Sequence, residues 1–150
     1  MEWSTDEDVW RNAINYKIDK AGYVKVADGT LTPVKSSNSP ALNDIKQLLN
    51  DGYVLTYNTF IFSWRYKAIK DDPNTDRDTG SINKNAYFML DGSSGPHAMT
   101  VVGYNDDIWV DINDNNVVEP VEKGAFRIAN SWGDSWEDNG FSWIAYDALK

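Results

Sequence analysis

The only histidine of this 150-residue chain, His97, lies in "GPHAMTVVGY", Gly95 to Tyr104, and the sequence contains no cysteine. Downstream, Asn130 opens "NSWGDSW". An imidazole takes and returns a proton near neutral pH because its unperturbed pKa is about 6.5, provided that a partner fixes one ring nitrogen. A carboxamide oxygen can be that partner, since accepting the imidazole N–H selects the tautomer. His97 is expected to open one strand and Asn130 to close another, which lets the two meet. Trp132, two residues beyond Asn130, can then cover the bond, exclude water and strengthen it. The plainer alternative makes His97 a structural residue and leaves Trp132 and Trp136 as core.

A second constellation lies between those strands, in "DINDNNVVEPVE". Its oxygen-bearing residues follow the spacing of an EF-hand loop: Asp111, Asn113 and Asn115 at positions 1, 3 and 5, the Val117 carbonyl at 7, and Glu122 at 12. Position 6 is Asn116 instead of glycine, and the flanks read as strands. A structural calcium held by a loop mimic is one reading, and a plain acidic hairpin tip is the other. The acidic runs "TDEDV" and "KDDPNTDRD" read as solvated surface. With one histidine and no cysteine, zinc chemistry has no ligand cluster.

These groups need a scaffold. In "TDEDVWRNAINYKI", Thr5 can cap a helix whose apolar positions Val9, Trp10, Ala13, Ile14 and Ile18 share one face. "YVKV" after Gly22 alternates like a short strand, and Asp28 through "SSNSP" is turn-rich. Pro40 suits the first turn of a main helix with an apolar stripe of Leu42, Ile45, Leu48 and Leu49, stopped by Gly52. "YVLTYNTFIFSW" reads as one buried strand. The segment Lys70 to Asn85 reads as an exposed loop, and "AYFML", "HAMTVVGY", "AFRIANS" and "FSWIAY" as four more strands. The expected fold is α+β: a curled antiparallel sheet, or half-barrel, with one main packed helix and an N-terminal helical or extended segment.

Composition limits the function classes. Hydrophobic residues make up 41% of the chain, enough for one globular core, and seven Trp and eight Tyr supply large apolar surfaces. A net charge of -9 argues against nucleic acid as a partner, because phosphate binding needs clustered Lys and Arg. No apolar stretch approaches the roughly 18 residues of a membrane span, and "MEWSTDEDVW" lacks the basic and apolar start of a secretory signal. A soluble chain is expected.

"HAMTVVGY" followed by "GAFRIANSWGDSWEDNGFSWIAY" resembles the histidine and asparagine region of the papain-like cysteine peptidases, in which a His-Ala strand precedes an Asn-Ser-Trp-Gly motif. The resemblance implies that residues 29–150 form the family's right-hand β domain and that residues 1–28 are the crossing segment from the left-hand domain. It implies that His97 is the general base and ion-pair partner, Asn130 its orienting amide and Trp132 the shielding indole, with Ser131 and Trp136 in support. The family's nucleophilic cysteine is absent, and so is the glutamine of its oxyanion hole, because the sole glutamine, Gln47, lies within the main helix. Ser93 and Ser94 read as turn residues, not as a replacement nucleophile. Two further departures are Glu137, where glycine is usual, and Pro96 before the histidine.

Two functions follow. In the first, the chain is the right-hand domain of a peptidase acting on peptides or proteins, inactive until a cysteine-bearing left-hand domain docks, with no cofactor required. The family's habits imply a secreted or extracellular location. In the second, it is a non-catalytic binding module that uses the former cleft wall.

Overall fold

The computed structural model describes residues 6–13, 15, 21–24, 40–89 and 94–149. Six strands form one open mixed sheet in the order β1-β4-β5-β6-β3-β2. They are β1 (Leu55–Phe60), β2 (Arg65–Ala68), β3 (Asn85–Met89), β4 (Pro96–Trp109), β5 (Lys123–Ala129) and β6 (Phe141–Ala145). The class is α+β, as the sequence predicts. The antiparallel expectation needs one correction, because β3 pairs parallel with β6 while the other strand pairs are antiparallel.

Helix α2 (Pro40–Asn50) carries the predicted stripe. Leu42 and Ile45 are buried against Phe126 of β5 and Tyr146 just after β6, with Leu49 partly buried beside them. The helix closes as anticipated. Gly52 takes φ +82°, its N–H reaches the Leu49 carbonyl at 3.1 Å, and the Tyr53 N–H reaches Leu48 at 3.0 Å. Helix α1 is shorter than predicted, Glu7–Ala13. Val9 is 51% exposed and Ala13 is also exposed, so these two positions do not form the expected buried face. Local charge supports it instead: Glu7 and Asp8 sit at its positive end, and Arg11 pairs with Glu7 at 3.3 Å. Thr5, Ile14 and Ile18 lie outside the described residues, as does the Asp28–Ser39 linker. Residues 21–24 form no strand, and the rest of "YVKV" is likewise outside.

The predicted strand "YVLTYNTFIFSW" is a strand only over Leu55–Phe60; a 3-10 turn, Ile61–Ser63, ends it, and β2, which the sequence reading did not anticipate, follows from Arg65. The β1 portion alternates between half-buried and exposed, so it is not buried on both faces. The Lys70–Asn85 segment also differs from expectation, because Asp72, Asp78 and Ser81 are buried within it. A carboxylate survives burial when ion pairs or N–H donors satisfy it. The Asp72 carboxylate accepts from Lys123 Nζ at 2.5 Å and from the Asn74 amide at 2.8 Å, and Asp78 accepts the Asp72 N–H at 3.0 Å. Among the described residues, no helix is long and apolar enough to cross a membrane.

Candidate active site

His97 stands at the start of β4, opposite Thr59 of β1, and shares a sheet face with Met99 opposite Tyr57. Met99 is packed with Tyr87, Ile128 and Ile144, so the strand carrying the histidine is anchored in core two residues along. Pro96 fits here because it is the first residue of the strand, where a proline is tolerated. Just before it, Gly95 has φ +72° and packs against the Phe62 ring, while its carbonyl accepts the Ile61 N–H at 3.0 Å.

Asn130 follows the last residue of β5. Its Oδ1 lies 2.7 Å from His97 Nε2 and also accepts the Ser131 backbone N–H at 2.8 Å. The second bond fixes the amide orientation, because a nitrogen in that position would set donor against donor. His97 Nε2 therefore carries the proton and donates, which leaves the Nδ1 lone pair to act as a base. The other end of the amide, Asn130 Nδ2, is buried without a partner. Such orphans are uncommon and mark positions where geometry is retained for another reason.

The Trp132 ring centroid lies 4.9 Å from that of His97. Trp132 remains 48% exposed, so it shields one side of the imidazole while presenting a face to the outside. Trp136 meets the Trp132 edge at 5.7 Å, with ring planes at 89°. His97, Asn130, Ser131, Trp132 and Trp136 thus come together as one cluster. Ser94 is exposed, and Ser93 lies outside the described residues. Gln47 is spent on α2, donating to Asp51 at 2.8 Å.

The turn between β5 and β6 brings in residues that the motif alone does not single out. Glu137 has φ +47°, left-handed for a residue with a side chain. Its carboxylate accepts Tyr87 Oη–H at 2.6 Å and Asn85 Nδ2–H at 2.8 Å. Burial, then this carboxylate, pushes the Tyr87 phenol above its ordinary value, so it stays a donor. Next to it, Asp138 accepts from Lys84 at 2.8 Å and Arg127 at 3.0 Å, and these cations hold its carboxyl below the usual range. The one sequence signal for this arrangement was an acidic residue where glycine is usual.

Residues 77–149 match the model of the papain family cysteine proteases. That part of the chain is similar to the papain family. No curated protein matches the chain. The matched segment covers β3 to β6, and with them His97, Asn130, Trp132 and Trp136.

The EF-hand-like residues lie beyond the opposite end of β4. Asp111 is buried, accepting the Asn115 and Asn116 N–H groups at 3.0 and 3.1 Å as well as Lys70 Nζ. The Lys70 hydrogen bond holds its carboxyl below the usual range. Asn113 and Asn115 each accept a backbone N–H two residues on. Val117 is exposed, and Glu122 takes the Ile112 and Asn113 N–H groups and the Trp109 indole. Lys67 Nζ binds the Asp111 and Ile112 carbonyls and pairs with Asp114 at 2.7 Å. In this arrangement the side-chain oxygens of Asp111, Asn113, Asn115 and Glu122 accept N–H groups, and Asp111 also accepts Lys70. Among the described residues, no three His, Cys, Asp or Glu side chains converge on a metal position.

Proposed function

We propose that this chain supplies the histidine-and-asparagine half of a papain-like cysteine peptidase site, with the thiol brought by a left-hand domain. The single observation that carries this reading is the 2.7 Å bond from His97 Nε2 to an Asn130 oxygen whose orientation Ser131 fixes. It aims the chemistry at Nδ1. A thiol docked at Nδ1 loses its proton to the ring, giving a thiolate beside an imidazolium. The thiolate attacks the scissile carbonyl, and Nδ1–H then protonates the leaving amine as the carbon–nitrogen bond breaks. Water hydrolyses the resulting thioester, with Nδ1 taking its proton and the cysteine leaving. Asn130 holds the ring through both transfers, and Trp132 keeps water from the Nε2 bond.

The sequence as given has no cysteine, so it is inactive alone in this reading. The substrates are peptides or proteins, no cofactor takes part, and the family's frequent secretion makes an extracellular location part of the proposal. The test is complementation: the chain is mixed with a cysteine-bearing left-hand domain of a papain-family enzyme, and hydrolysis of a peptide ester is followed. Activity should appear in the mixture and vanish with His97→Ala. Equal rates with and without His97 would overturn the assignment of the base.

A second reading, a non-catalytic peptide-binding module, is favoured by the exposed rings at the histidine end. Phe62 is 78% exposed there, beside half-exposed Phe60 and Trp132. Peptide binding by the chain alone, with no activity on complementation, would select it.

A further inference from the structure

The turn that carries Asn130 and both indoles has to hold the Trp132 plane beside the imidazole, yet Trp132 is half-exposed, with ring contacts to His97 and Trp136. Two carboxylates tie this turn down in different directions. Asp138 binds Lys84 and Arg127, fixing the base of the turn to β5 and to the residue before β3. Glu137, adjacent to Trp136, reaches instead to Tyr87 and Asn85 of β3, fifty and fifty-two residues away.

Tyr87 connects the clamp to the site. Its ring is buried against Trp64 at 4.6 Å and lies parallel to Trp136 at 6.4 Å, with planes only 5° apart. Trp136 in turn meets Trp132 edge-on, and Trp132 meets His97. One offset parallel arrangement and one edge contact thus link the phenol that holds Glu137 to the indole beside His97. The Glu137 backbone sits in the left-handed region, which a residue with a Cβ occupies only where surroundings over-determine it. Glycine would take that conformation without strain, so what Glu137 contributes at this position is its carboxylate.

We infer that Glu137 is a positioning residue: by binding Tyr87 and Asn85 it sets Trp136, and through Trp136 the Trp132 lid, over the His97–Asn130 hydrogen bond. This rests on the reading of His97 and Asn130 given above. It predicts that the lid can be loosened without unfolding the chain, because Asp138 still holds the turn and glycine relieves the backbone.

The single histidine makes the test direct. The Nε2–H proton of His97 and the ring-current shifts of its carbon-bound protons are read by NMR on the full chain and on Glu137→Gly and Tyr87→Phe. In the parent, the N–H should be slow enough in exchange to be seen, and the ring protons should be shifted by Trp132. In Glu137→Gly, the denaturation midpoint should hold or rise while the N–H signal is lost and the ring shifts move toward those of a free imidazole. Tyr87→Phe, which keeps the ring and removes only the hydroxyl donor, should do the same to the imidazole signals. Retention of the N–H and the ring shifts in both variants overturns the role of Glu137 and leaves the base assignment standing. Absence of a protected N–H in the parent overturns the base assignment, and this inference with it.

Discussion

At the residue scale, the His97–Asn130 pair was legible because its signal is local: two short motifs in a fixed order place the imidazole and the amide at strand ends. The Glu137 clamp was legible only as a departure, an acidic residue where glycine is usual, because its partners lie on β3, fifty and fifty-two residues away. Asp111 carries a local signal of a different kind. Its spacing to Asn113, Asn115 and Glu122 is that of a cation loop; in the structure Lys70, from beyond β2, pairs with Asp111, and Lys67 of β2 pairs with the neighbouring Asp114. Asp111→Ala should destabilise the chain by about 1.5–3 kcal/mol, through loss of the charge-assisted bonds that its buried carboxylate accepts from Lys70 and from the Asn115 and Asn116 N–H groups. Urea denaturation measures this. The melting temperature of the parent should be the same in excess calcium and in chelator. A calcium-dependent rise absent from Asp111→Ala would show that a metal displaces the lysines.

At the element scale, the strands β3 to β6 were read correctly from β-branched and aromatic runs, while the end of β1 was missed because Ile61 and Phe62 continue its apolar run past Phe60, and β2 was missed because "RYKA" is mostly exposed. Apolar runs report burial but not a change of direction. The long β4 was underestimated for a related reason: it continues past Tyr104 through the polar "NDD" to Trp109. That continuation requires a bulge. Asn105 pairs with Ala125 and Trp109 with Lys123, so three residues of β4 face the single residue Gly124 of β5. Gly124 absorbs the mismatch with φ +90°, and a Cβ there would lie 2.1 Å from the Tyr146 ring. Tyr146 has no room to retreat, being buried against Phe126 at 4.7 Å and bonded through its hydroxyl to Asp106 at 2.7 Å. Gly124→Ala should destabilise by roughly 2–5 kcal/mol, combining left-handed strain with overpacking. The urea midpoint should fall with little change in slope, since the surface exposed on unfolding is the same.

At the scale of the whole molecule, the long polar loop before β3 is stitched to the sheet by carboxylates whose cations lie far away in sequence. Asp72 pairs with Lys123 of β5, Lys70 with Asp111, and Lys84 with Asp138 of the site turn. All three carboxyls are held below the ordinary value of 3.8: Lys70 and Lys84 dominate at Asp111 and Asp138, while at Asp72 burial pushes upward and the Lys123 and Asn74 hydrogen bonds outweigh it. A depressed folded value means that the unfolded chain binds more protons at acid pH, so this stability is present above about 4 and is lost as pH falls through the folded values. Acid also reduces the self-repulsion of a chain carrying -9, which acts in the other direction. A comparison between variants cancels most of that shared term. Lys123→Met leaves the Asp72 carboxylate buried with only Asn74 to favour its charged form, so the variant should melt well below the parent at neutral pH. Protonating Asp72 removes the Lys123 bond from the parent and the buried charge from the variant, and the gap in melting temperature should narrow as pH falls below about 4. A gap that stays constant across that range would mean that Lys123 stabilises the loop by packing its chain and not by holding the Asp72 charge.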